Sequence, residues 1–165
     1  MRNDPLNMAS FVPSRTHFEI YPDLYVECAE GSKEMITVKA TREGLEGEKT
    51  ALGWPISDLV SFVALPSRKA LNRHVRLLNP INGLMSIAEV LDVGPWNESD
   101  DAYVFQQATR PGGFALNNDP IRPQAERGQD QFGRPTNGAG IDLGQKAWFA
   151  LGLSDNAEIE WEFIE

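Results

Sequence analysis

The chain holds a single cysteine, Cys28, and only two histidines, His17 and His74. One cysteine cannot close an internal disulfide, and these three residues cannot complete a four-ligand structural zinc site. A disulfide scaffold and a structural metal are both excluded, and no motif asks for a cofactor. Basic residues are also scarce: 15 Lys and Arg stand against 24 Asp and Glu, a net charge of −9. Nucleic acid and anionic lipid need a positive footprint, so neither is an expected partner. No apolar run approaches the ~18 residues of a membrane-spanning helix, and residues 1–15 lack the apolar middle of a secretory signal.

What is present is 165 residues, 41% of them apolar, enough for one domain with a core of ordinary size. The 14 Gly and 11 Pro fall between short apolar runs, which implies short strands and tight turns. Residues 1–33 carry Pro5, Pro13 and Pro22 among Phe11, Phe18, Ile20, Tyr21 and Tyr25 without a sustained period. They read as an arm packed on the domain.

Residues 35–40 alternate as a strand with Ile36, Val38 and Ala40 on one face, and a polar loop over 44–53 leads to Trp54. Residues 75–78 and 84–92 form two strands joined through Asn82-Gly83, whose positive φ angles suit a hairpin turn. Met85, Ile87 and Leu91 oppose Ser86, Ala88 and Val90 on the second of these strands, so both of its faces are expected to be largely buried. A last strand over 158–165 has Ile159, Trp161 and Phe163 inside and glutamates outside. One helix is predicted over 143–151, stopped by Gly152. Six short strands, one short helix and no repeats point to a mainly β fold closed as a small barrel.

The order of these pieces from Ile36 onward resembles the double-psi β-barrel of the rare lipoprotein A and expansin families. The segments that carry the resemblance are GLEGEKTALG at 44–53, ALPSRKALNRHVRLLNPINGLMSIAEVLDVGPW at 64–96, GAGIDLGQKAWFALGL at 138–153 and EIEWEF at 158–163. The corresponding family blocks are a Thr-Ala-Asn-Gly loop, a Leu-Pro-Phe-Gly-Thr strand, an Asn-Asp-Arg-Gly-Pro turn and an Ile-Asp-Leu-Ser helix start. The resemblance implies a six-stranded double-psi barrel over 34–165, with residues 97–137 a long loop insertion outside it that packs over the side carrying Asp92. It further implies glycan chemistry, because rare lipoprotein A proteins are peptidoglycan lytic transglycosylases and expansins loosen wall polysaccharide without hydrolysing it.

Asp92 in LDVGP and Asp142 in GIDLG resemble the paired aspartates of the polysaccharide groove. A transglycosylase needs a carboxyl group that protonates the glycosidic oxygen and then, once ionised, takes the proton of the sugar hydroxyl that closes an anhydro ring. Asp92, at the end of a buried strand, is either that acid or a turn-holding acceptor. Asp142 is either a groove carboxylate or the cap of the following helix, with Gln145 reaching back to it. The reading assigns the proton donor to Asp92 and leaves Asp142 ionised by its cap, the two facing one groove.

Where rare lipoprotein A proteins have a glutamate and a histidine, this chain has Trp54 and Phe62. Trp54 and Trp96, at loop positions, are candidate platforms for a sugar ring, while Trp161 is core. Arg110 and Arg134, among the aromatic residues of the insertion, are candidate partners for muramyl or peptide carboxylates. His74 receives no role.

The resulting expectation is a peptidoglycan-interacting barrel, an enzyme of the lytic transglycosylase type with Asp92 as acid and base. The alternative is a non-catalytic glycan-binding or protein-interaction module on the same fold. A wall-active barrel belongs in the cell envelope or outside the cell, which requires a removed signal. A cytoplasmic or phage-associated role is the alternative.

Overall fold

The computed structural model describes residues 35–107 and 120–164. The arm over 1–33 and Arg110 lie outside them. Six strands form the wall: β1 (Ile36–Arg42), β2 (Phe62–Leu65), β3 (His74–Leu78), β4 (Met85–Val93), β5 (Ile141–Leu143) and β6 (Ala157–Ile164). Two short helices accompany them, α1 (Asp101–Val104) and α2 (Gln145–Ala150), with 3₁₀ turns at Arg68–Ala70 and Gln124–Arg127.

The strands close in the order β1-β5-β2-β4-β3-β6, so no strand edge of the wall is left open. β1 runs parallel to β5 and β2 parallel to β4, while the other neighbours are antiparallel. Exchanging β1 with β4, β2 with β5 and β3 with β6 leaves this order unchanged. That internal two-fold relation of two interlocked halves is the double-psi arrangement.

Period-two alternation decides which side chains face in. Ile36, Val38 and Ala40 of β1 meet Val63 and Leu65, Val75 and Leu77, Ala88 and Val90, Ile141 and Leu143, and Ile159 in one buried cluster around Trp161. Trp161 is fully buried, as its alternating strand requires. Phe163, expected inside, is half-buried: it meets Trp161 edge-on and stacks on Phe105 at 5.6 Å. The Arg73 guanidinium covers its ring at 3.7 Å. The strands are joined at the expected place, but of Asn82-Gly83 it is Gly83 alone that takes a positive φ, 73°, and its N–H bonds to the Asn79 carbonyl.

Three expectations need correction. Met85 and Ile87 are exposed, because the outer face of β4 at that end is not covered. The helix begins later than predicted: residues 141–143 are β5, whose Ile141 and Leu143 point into the barrel on a period of two rather than 3.6. Finally, the insertion is not wholly outside. Its described residues contribute no strand to the wall, but α1 sends Tyr103 and Val104 into the core. The Tyr103 hydroxyl donates to the Gly140 carbonyl at 3.1 Å and accepts the Trp161 indole N–H at 3.0 Å. A buried tyrosine needs such partners, and here they tie α1 to β6 and to the residue before β5.

The other correction concerns register. Val63 pairs with Val90 but Ala64 pairs with Asp92, so Leu91 is the extra residue of a β-bulge. A bulge re-aims the residues that follow it. Without it Asp92 would follow Ala88 and Val90 inward; with it Asp92 joins the outward row of Ala64. Leu91 turns outward as well and packs with Phe62 and Ile56 beneath the loop that follows β1.

A carboxylate row on the outer wall of the barrel

Four residues lie in register across four neighbouring strands: Thr41 of β1 opposite Asp142 of β5, Asp142 opposite Ala64 of β2, and Ala64 opposite Asp92 of β4. The two aspartates thus flank one alanine on the same outer face, two strand spacings or about 9–10 Å apart between Cα atoms. Ala64 between them is itself buried, at 1% exposure. The structure places these carboxylates in one row, but their environments are the reverse of the expected ones.

Asp142 does not cap a helix. It sits within β5, and the N-cap position of α2 is Gly144, which makes no side-chain cap bond. Its Oδ1 instead accepts the Thr41 hydroxyl. Burial pushes its pKa up to about 7; the Thr41 bond opposes that rise, while the charges of Glu43 and Asp92 add to it. Folding therefore favours the protonated form of Asp142.

Asp92, expected to be the donor, is a holding residue for the neighbouring loop. Its Oδ1 accepts the Ala51 N–H and the Val93 N–H, both at 2.8 Å. Ala51 belongs to a hairpin over 47–55 that the Lys49–Pro55 bridge closes and whose Leu52 N–H reaches the Leu91 carbonyl. At the tip of this hairpin Trp54 is 56% exposed, free to offer a ring face. Phe62 is 1% exposed and packed in the small cluster under this loop. Its ring fills the space beside Gly144, where any added Cβ would stand 2.4 Å from it.

The segment after Asp92 continues the site. Gly94 adopts φ 151°, so this position favours glycine, and a Cβ there would stand 3.9 Å from Asp142 Oδ2, an ordinary contact distance. Trp96 follows at φ 67°, a conformation bulky residues rarely adopt, and its indole N–H donates to Asn137 Oδ1 at 2.8 Å. Asn97 Oδ1 accepts the Gln131 N–H from a second hairpin over 128–136. Trp96 is therefore a tether between two loops more than an open platform. Arg134 stands on that second hairpin, with its Nε bonded to the buried Asp130 carboxylate at 2.5 Å. His74 is exposed on β3.

Sequence reasoning missed Thr41, Glu43 and Asn137, whose importance comes only from strand register and loop closure. It also missed the likeness of the two hairpins. The signal was present: TALGWP at 50–55 and DQFGRP at 130–135 share the Gly-x-Pro ending and a side-chain oxygen at the first position.

A closed double-psi barrel with an unequal pair of carboxylates on its outer wall defines the class. The chain belongs to the family described as "Domain of unknown function (DUF8814)", whose model matches residues 34–162. No curated protein matches it. Among solved structures it is similar to "Streptomyces papain inhibitor (SPI)", at 17% identity and a TM-score of 0.43, over 80% of this chain and 96% of that one. At that distance the likeness carries no argument about this chain. Among the described residues no group of His, Cys, Asp and Glu is arranged to hold a metal ion, and no helix is long and apolar enough to cross a membrane.

Proposed function

We propose that the carboxylate row acts on a polysaccharide, peptidoglycan glycan strands in the first instance, with Asp142 as the group that gives and takes the proton. The observation that carries this reading is the inequality of the pair: a buried Asp142 poised near neutrality beside an Asp92 tied to backbone N–H groups. Two carboxylates pushed into different environments are the usual signature of divided acid and charge-stabilising roles.

In this scheme the protonated Asp142 gives its proton to the glycosidic oxygen as the bond to the anomeric carbon breaks. The charge of Asp92 favours the positive character that develops on the sugar. Asp142, now ionised and held by the Thr41 hydroxyl, takes the proton of the sugar hydroxyl that attacks the anomeric carbon, and an anhydro ring closes without water. Trp54 offers the stacking face that holds the neighbouring ring.

A second reading, binding without cleavage, is favoured by Trp54 and Phe62. Neither side chain handles protons, and Phe62 is buried beneath the loop. Incubation with purified sacculi separates the two. Soluble anhydro-muropeptides that disappear in Asp142→Asn support cleavage. Co-sedimentation without release supports binding alone, and the absence of both results rejects the glycan reading. A glycan-active role carries with it a place in the envelope or outside the cell.

A further inference from the structure

We propose that Phe132 and Arg134 form a carboxylate-binding subsite, so that the glycan entering this site carries an acidic group set away from the ring at Asp142. The inference rests on the glycan reading above. Its starting point is a duplication inside the chain. The hairpins over 47–55 and 128–136 are closed by matching bridges, Lys49 to Pro55 and Gln129 to Pro135. Buried Thr50 and Asp130 each accept, through a side-chain oxygen, the N–H of the residue four positions on, Trp54 and Arg134 respectively. Gly53 and Gly133 turn the chain at φ 83° and 77°.

The two hairpins precede β2 and β5, which the internal two-fold of the barrel exchanges. Both are also hung on one short segment: Asp92 holds Ala51 of the first, Asn97 holds Gln131 of the second, and Trp96 holds Asn137 just beyond it. Asp142 lies near the middle of that segment, its Oδ2 at 3.9 Å from where a Cβ on Gly94 would stand. A chain laid along it passes the first hairpin, the proton-holding group and the second hairpin in turn.

At the position where the first hairpin presents Trp54, the second presents Arg134. The Arg134 guanidinium lies 5.2 Å from the centroid of the Phe132 ring, and its Nε is taken by Asp130, whose side chain is wholly buried. The arginine side chain nevertheless remains 63% exposed, and Phe132 is 71% exposed. A guanidinium fixed at one edge loses less freedom when its other edge meets a planar anion, which suits bidentate capture of a carboxylate. Phe132 adds a ring face beside it. Around Asp142 the charges of Asp92 and Glu43 repel an anion, so the acidic group of a bound glycan is steered to the Arg134 end.

The carboxylate has two possible sources, a uronate ring or the lactyl ether of a muramyl residue. Calorimetric titration with oligogalacturonate, with peptide-free muramyl glycan strands, and with the carboxyl-reduced form of each distinguishes them. For the probe with the correct carboxylate, the wild-type protein is expected to bind the acid about tenfold more tightly than the reduced form, a preference that Arg134→Gln removes. Because Arg134→Gln also takes a partner from Asp130, Phe132→Ala is measured beside it, with an expected loss of about threefold. Equal affinity for acid and reduced forms, or a preference that survives Arg134→Gln in folded protein, overturns the subsite. If reduced glycans bind as well as acids and anhydro-sugars are still released, only the subsite falls. If wild type binds none of the probes and none of the sacculi, the glycan reading falls with it.

Discussion

Asp92 and Asp142 stand on either side of Ala64 in the same outward row, yet their neighbourhoods differ in kind. Around Asp92 the chain is built to use a carboxylate: a bulge turns it outward, and two backbone N–H groups, one from a distant hairpin, converge on a single oxygen. Around Asp142 one hydroxyl reaches the carboxyl, and burial outweighs the help that hydroxyl gives to the ionised form. The first arrangement stabilises the fold through the charge. The second is a cost to the fold whenever the charge is present, and such a cost persists at sites where a proton must move.

The comparison breaks most sharply on removal of the Asp142 charge. Because the Asp142 pKa is raised by folding, the native state keeps a proton that the unfolded chain has lost between pH 4 and 7. The Asp142 contribution is fully favourable below about pH 4 and is lost as pH rises through 7. Full ionisation therefore costs about 4 kcal/mol. Asp142→Asn is expected to be more stable than wild type at pH 8 by an amount of that order, with little difference at pH 4, in urea unfolding at the two pH values. The same variant is expected to lose any release of anhydro-sugars. Gain of stability with loss of activity is the mark of a site held against its folding preference.

Asp92→Ala takes the opposite sign. Two backbone N–H groups lose their acceptor, and a loss of about 2 kcal/mol at pH 7 is expected in the same assay. The hairpin over 47–55 should loosen first, which amide exchange at Ala51 and Leu52 reads directly.

That opposition was only partly legible in the sequence. Both aspartates were picked out by the resemblance of LDVGP and GIDLG to the paired aspartates of the barrel family, and the inward residues Ile36, Val38, Ala40, Ile159 and Trp161 were legible because period-two alternation depends on local sequence alone. The strand Phe62–Leu65 offers only apolar residues and too short a run to show a period. Asp142 lies beside a stretch that suits both a strand and a helix start, and barrel closure with β1 and β2, not propensity, selects the strand. The unequal roles of the pair depend on Thr41 and Ala51, partners that only strand register and the bulge at Leu91 bring near. The likeness of the two hairpins escaped notice because a few shared residues do not stand out without the two-fold relation that makes them equivalent.

A finer probe of the comparison is Thr41→Val. The hydroxyl favours the ionised form of Asp142, so its loss moves the pKa further up and shifts the acidic-to-neutral decline in stability with it, an effect of about 1 kcal/mol at pH 7. Any pH profile of glycan release should shift upward in parallel. Trp54→Ala is expected to have the smallest effect on folding, within about 0.5 kcal/mol, because the ring is exposed. Its effect is expected in sedimentation with sacculi, weakened several-fold.

The most direct measurement is the titration of the Asp142 side-chain carboxyl carbon by NMR, with Asp142→Asn used to assign the resonance. The account predicts a midpoint near pH 7, moved upward in Thr41→Val. A midpoint near 4, the ordinary value for an aspartate, would contradict it and leave Asp142 an ionised surface carboxylate with no proton to give.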